Sequence, residues 1–142
     1  MKISKFILSI CLIVSLALNV YLIKNQMTTN NKQQKIDLDF KASIGRISDS
    51  LAAVTDGNYV GYLTAIEHAS KANALSKYSS YNKENSNITG TTSELINEFR
   101  NLYASQKNLA DKERLMQGFQ QLSAEPNHRE TMDNILMLLN KQ

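Results

Sequence analysis

"FKASIGRISDSLAAV" (residues 40–54) sets Phe40, Ile44, Ile47, Leu51 and Val54 at steps of four, three, four and three. That spacing lays one apolar stripe along a helix and leaves Lys41, Arg46 and Asp49 on the other faces. Asp37 and Asp39 precede the stripe, and carboxylates in a first turn favour the positive end of the helix dipole, so a start near residue 36 is predicted. No stretch of the chain alternates apolar and polar residues in a Val- and Thr-rich run. The fold class expected is all-α.

Toward the C-terminus, "TDGNYVGY" (55–62) interrupts the stripe with turn chemistry. Gly57 suits a left-handed conformation, and Asn58 suits the cap of a following helix. The next stripe is Tyr62, Ala65, Ala69, Ala72 and Leu75, flanked by Leu63 and Ile66. Its alanines allow close approach of a neighbour, so a hairpin is expected, with one long helix as the alternative. "NKENSNITG" (82–90) reads as a loop, and Thr91 with Glu94 as a capping box. Leu95, Phe99, Leu102, Leu109, Met116 and Phe119 continue as one helix or as two pieces meeting near Asp111. Gln106 and Lys112 fall at seam positions of that stripe, where a closed core would not place them. Pro126 ends it. Asn127 and Glu130 mark a second start, and Met132, Ile135, Leu136 and Leu139 give the last apolar face. Residues 36–142 are therefore expected to form a three- to four-helix antiparallel bundle or a long helical hairpin.

Toward the N-terminus, residues 24–35 are polar and read as a tether. Before them "FILSICLIVSLALNVYLI" (6–23) is apolar apart from Ser9, Ser15 and Asn19. Eighteen helical residues cover about 27 Å, close to the roughly 30 Å of a bilayer's hydrocarbon core. Tyr21 and Lys24 suit the interface. A cut after Ala17 is the competing reading, but it leaves the apolar "LNVYLIK" as a new N-terminus. A lipoprotein signal is disfavoured by Ile10 before Cys11 and by the cysteine's place in the first half of the run. The retained single-pass signal-anchor is preferred: a cytoplasmic tip at 1–5, the span at 6–23, and the bulk of the chain outside the cytoplasm.

The formal net charge is +3. Residues 26–142 balance thirteen Lys and Arg against thirteen Asp and Glu, so the excess is Lys2, Lys5 and Lys24 beside the apolar run. A nucleic-acid binder clusters its basic residues on the folded part, so nucleic acid is not an expected partner. Cys11 is the sole cysteine, which excludes an intramolecular disulfide and a thiol nucleophile outside the span. Twelve Lys against four Arg, with fifteen Asn, is the skew of an AT-rich bacterial genome.

Chemistry-bearing motifs are sparse. His68 and His128 are sixty residues apart and read as surface residues. Asp37-Leu38-Asp39 lacks the partners and the glycine of a calcium loop. There is no G-x-S-x-G elbow and no phosphate-cradling glycine run. No catalytic residue, cofactor or metal site is assigned. The expected function is a non-catalytic, membrane-anchored module that binds another protein or an envelope component, or its own copy as a homo-oligomer. The candidate partner or ligand surface is Tyr59, Tyr62, Tyr78, Tyr103, Gln106 and Lys112. A sensory module binding a small ligand among the tyrosines is the second reading. A rod-like spacer is disfavoured by too many Ala, Ser and Asn at the heptad seam.

Overall fold

The computed structural model describes residues 2–84 and 87–141, with side chains from residue 11 onward. The described residues are helical, with no named strand, and form α1 (Lys2–Ala52), α2 (Val60–Ser76), α3 (Tyr81–Glu84), α4 (Ile88–Ser105), α5 (Lys112–Ala124) and α6 (Arg129–Asn140). They divide into two compact units, residues 1–34 and residues 35–142.

In the first unit α1 carries the apolar run, and the polar residues 24–35 read as a tether are helical as well. Thr28 and Thr29 donate to the carbonyls of Lys24 and Asn25 at 2.9 and 3.0 Å, which keeps their hydroxyls bonded without breaking the ladder. A consequence is that Asp37 and Asp39 do not occupy a first turn, and the start expected near residue 36 is not one. Asp37 instead accepts from the Ser80 N–H at 2.8 Å and the Ser80 hydroxyl at 2.7 Å, fixing the turn after α2.

In the second unit the core is built from the stripes the spacing picks out. Phe40, Ile44, Ile47, Leu51 and Val54 are buried, together with Tyr62, Ala65, Ala69 and Ala72 of α2. Between them the chain turns at Thr55–Asn58, whose N–H groups and carbonyls exchange bonds of 3.0 and 2.9 Å, with Gly57 at φ +75°. The cap of α2 is Tyr59, which makes no side-chain cap bond, and not Asn58 as expected; Asn58, one residue earlier, accepts from the Val60 N–H at 3.2 Å through its Oδ1. The chain therefore folds back as separate helices.

The start of α4 differs from expectation. Residues 81–84 and 88–90 are helical, and Thr91, expected as the cap, is buried within the first turn with its N–H bonded to Asn87 O at 2.9 Å. The cause is Ile88, itself buried. Beginning at 88 puts Ile88, Thr92, Leu95, Phe99 and Leu102 on one face at steps of four, three, four and three. The threonine on that stripe is satisfied locally, since the Thr92 hydroxyl lies 3.0 Å from each of Ile88 O, Thr89 O and Asn73 Oδ1.

The run from Leu95 to Phe119 is two helices. Gln106 closes α4 in the left-handed region at φ 50°, its N–H directed at the carbonyls of Leu102 and Tyr103, while the Lys107 N–H reaches Leu102 O at 3.3 Å. This is the bonding of a helix end that ordinarily uses glycine. The start of α6 also differs: the side chain that caps it is His128, which accepts from the Thr131 N–H at 3.3 Å, rather than Asn127. Asn127 Nδ2 donates to Glu84 instead.

Pairs of contacts give the direction of packing. Ser123 donates to Lys41 O at 3.0 Å and Ser48 to Met116 O at 3.1 Å, so the last part of α1 lies antiparallel to α5. Ser76 bonds Thr89 at 2.8 Å and Thr92 bonds Asn73, setting α2 against α4 in the same sense. Phe99 and Phe119 pack with ring centroids 6.0 Å apart.

Candidate functional site

Lys112 is the clearest of the singled-out residues. The last four carbonyls of a helix have no partner within it. The Lys112 ammonium donates to two carbonyls at the end of α1, Ala52 O at 2.9 Å and Val54 O at 2.7 Å. A cation there also meets the negative end of the helix dipole. Lys41 repeats the arrangement in reverse, donating to Ala124 O at the end of α5 at 2.9 Å. Each of these two antiparallel helices thus supplies the lysine that closes the other. The polar residue at the seam is explained by what it caps, which sequence spacing alone does not reveal. Lys112→Met, which keeps the stem and removes the donor, is expected to destabilise the unit by about 1–2 kcal/mol at neutral pH, read as a lower midpoint in urea. A midpoint equal to that of the parent chain would refute the capping role.

The four tyrosines do not share a cavity. Tyr62 is fully buried, its hydroxyl donating to Lys107 O at 2.7 Å, and burial pushes its phenol up from 10.0 to about 12. Tyr59 stacks on it with planes 2° apart and centroids separated by 6.3 Å. Tyr103 is exposed, and with Tyr59, Val60, Gln106 and the 57–58 turn it borders a shallow depression of about 350 Å³. Tyr78 lies past the far end of α2, sixteen positions from Tyr62, or about 24 Å along a helix. It is exposed. Gln106 is also exposed, so its expected seam position is corrected to the closing residue of α4. The arrangement brings Tyr59, Tyr103 and Gln106 together at one end of the α2–α4 pair and leaves Tyr78 and Lys112 apart from them.

The Met and Leu of "MDNILMLLNK" (132–141) read as core or as a partner groove, and the structure holds a groove of about 430 Å³ there, between α5 and α6. It exists because Gly118 lets the helices close: a Cβ there would stand 2.9 Å from Ile135 Cγ1. Gln117, Gln121, Asn134, Leu138 and Met137 line it, with Arg114 and Lys141 toward one end. Met137, which the last apolar face does not need, is exposed there.

Elsewhere the surface is electrically quiet. The Arg114–Asp111 and Arg129–Asp133 pairs are 3.8 and 3.9 Å apart and open to solvent, a setting where ion pairs contribute little. Among the described residues, no three His, Cys, Asp or Glu side chains converge as a metal site requires.

In the first unit the site is the helix surface itself. One helix is long and apolar enough to cross a membrane. From Leu12 to Ile23 its large apolar side chains are 51–66% exposed. Comparison with known proteins finds no family model, no curated protein and no solved structure that matches this chain.

Proposed function

We propose that this chain is a single-pass, membrane-anchored and non-catalytic helical module whose larger unit faces outward and binds another protein or an envelope component. The observation that carries the reading is the exposed apolar surface from Leu12 to Ile23. At about 25 cal/mol per Å², apolar surface of that extent is strongly favoured to leave water, and the whole run of residues 6–23, about 27 Å as a helix, comes close to the thickness of a bilayer's hydrocarbon core. Residues 6–23 then act as the signal-anchor, and the bulk of the chain lies outside the cytoplasm because the charged tip followed by an apolar run is the layout of such an anchor. Val60, Leu63 and Tyr103, exposed on α2 and α4, support the partner reading as an apolar contact surface. The sensory reading draws less support, since its four tyrosines line no common cavity.

The test is the intact mass of the native protein recovered from alkali-washed membranes and from the medium, followed by crosslinking through surface lysines. A full-length 16.0 kDa chain in the membranes is expected, joined to a second protein on crosslinking. A chain beginning at Leu18 in the medium would overturn the anchor and leave a secreted helical protein. Conjugates of this chain with itself alone would replace the partner with a homo-oligomer.

A further inference from the structure

We infer that the groove between α5 and α6 holds an extended, acidic segment of the partner protein. The segment's main chain bonds to the amides of Gln117, Gln121 and Asn134, and its carboxylate sits between Arg114 and Lys141. The inference rests on the reading of the larger unit as a protein-binding module, and it names the site and the chemistry of the partner. Gly118 and Ile135 meet at the floor of the groove, where a missing Cβ lets the two helices close. The short connection at 125–128 makes α5 and α6 antiparallel, with Gly118 and Ile135 level. Asn134 on one wall therefore stands between the levels of Gln117 and Gln121 on the other, and Arg114 and Lys141 both lie toward one end.

The spacing of the amides selects an extended main chain. Gln117 and Gln121 are one turn apart, about 6 Å along α5. In an extended chain every second residue presents its N–H and C=O to the same side, at intervals of about 6.6 Å. A carboxamide holds donor and acceptor side by side, so each glutamine can bond both groups of one residue. Asn134 meets the residue between them from the opposite wall. Among the described residues these three side chains are exposed and make no hydrogen bond within the chain. A helix is a poorer occupant, because its main-chain groups are already bonded and it needs an apolar groove. Here the large apolar side chains of the lining are Ile135, Leu138 and Met137, with amides and charges around them.

Charge selects the acidic group. Arg114 and Lys141 bring two cations to one end, against the one carboxylate of Asp111. That carboxylate meets Arg114 at 3.8 Å in the open, where an ion pair contributes little and leaves the guanidinium able to turn to a better partner. A bidentate carboxylate is such a partner. From Arg114 to Gln121 the groove covers about 10 Å, or roughly three residues of extended chain, which sets how far the acid lies from the amide-bound part.

The experiment replaces Met137, exposed at the groove, with the photo-reactive p-benzoylphenylalanine in the full-length chain in its native membranes. Irradiation is expected to attach a segment of one second protein that carries Asp or Glu within about four residues of the attachment point. Arg114→Gln with Lys141→Gln is expected to lower the yield about ten-fold, and Gln117→Ala with Gln121→Ala about five-fold. All four side chains are exposed, so the urea midpoint is expected to stay that of the parent, which separates a lost contact from a lost fold. A synthetic peptide of the attached segment is expected to compete, and the same peptide with Asn and Gln in place of its acids is not. That pair of peptides decides the matter without any change to this chain. An attached segment without an acid, a yield unmoved by the changes at 114 and 141, or adducts with lipid or a second copy alone would each overturn the inference. A second protein joined through surface lysines but never at position 137 sinks this site and leaves the partner reading standing. A chain joined to no second protein by either route sinks that reading with it.

Discussion

Gly61→Ala is expected to destabilise the larger unit by about 3 kcal/mol, although alanine is the better helix former by about 1 kcal/mol. The sign is decided by what surrounds the position. A Cβ on Gly61 would stand inside contact distance of Ser50 O, 2.7 Å from Val54 Cγ2 and 3.0 Å from Val54 N. Two of those atoms are backbone, Ser50 O in the last turn of α1 and Val54 N just past its end, and Ser50 O already accepts from the Ala53 N–H at 3.2 Å. Relief therefore requires α2 to withdraw from α1, opening the layer where Tyr62 and Leu51 are buried. Thermal unfolding of the full-length chain in detergent, followed by circular dichroism, reads the effect. A loss of about 3 kcal/mol corresponds to a midpoint lower by roughly 12–20 °C for a unit of this size. Gly57→Ala is the informative companion. Its surroundings are open, so its cost is the left-handed backbone alone, roughly 1–2 kcal/mol. If Gly61→Ala melts at or above the parent temperature, the close approach of α1 and α2 is wrong.

That contact also marks the limit of reading this fold from its sequence. Apolar periodicity identifies the faces well: all five residues of the 40–54 stripe are buried, as are Tyr62 and the three alanines of the next. The glycine of the first turn takes the left-handed conformation its chemistry predicts, whereas the cap of α2 is Tyr59 and not the expected Asn58. Where the reading fails, a long-range or unusual contact replaces a common local one. Thr91 and Glu94 form a good capping pattern, yet the pull of Ile88 toward the core moves the cap four residues earlier, to Asn87. Gln106 holds a left-handed end with no glycine to announce it, and His128 takes a capping place usually held by Ser, Thr, Asp or Asn. Lys112 looks like a polar intrusion at a seam until the end of α1, sixty residues earlier in the chain, is placed beside it. The candidate surface is harder still. Tyr59, Tyr103 and Gln106 meet only because α2 and α4 are antiparallel, and nothing local to any of them shows that Tyr78 is excluded.

Tyr62 is expected to make the stability of the larger unit fall steeply in alkali. Its ring is fully buried and its neutral hydroxyl donates to Lys107 O at 2.7 Å. Burial raises the phenol from 10.0 to about 12, and the nearby Tyr59 adds to the rise once it ionises. Below pH 10 the tyrosine is protonated in both folded and unfolded chains, so its contribution is fully present. Between pH 10 and 12 the unfolded chain releases the proton while the folded chain holds it, and stability is lost as pH rises. Each pH step across that interval costs up to about 1.4 kcal/mol, so roughly 2–3 kcal/mol is gone by pH 12. Lysine titration adds to any alkaline loss, and Tyr62→Phe separates the two because it leaves every lysine in place. At pH 7 the phenylalanine chain lacks the bond to Lys107 O and is expected to be less stable by about 1 kcal/mol. Having no proton to lose at position 62, it then declines more slowly. The two urea-unfolding curves, plotted as stability against pH, are expected to cross at roughly pH 11. Curves that stay parallel from pH 9 to 12 would mean that the Tyr62 hydroxyl is in contact with water.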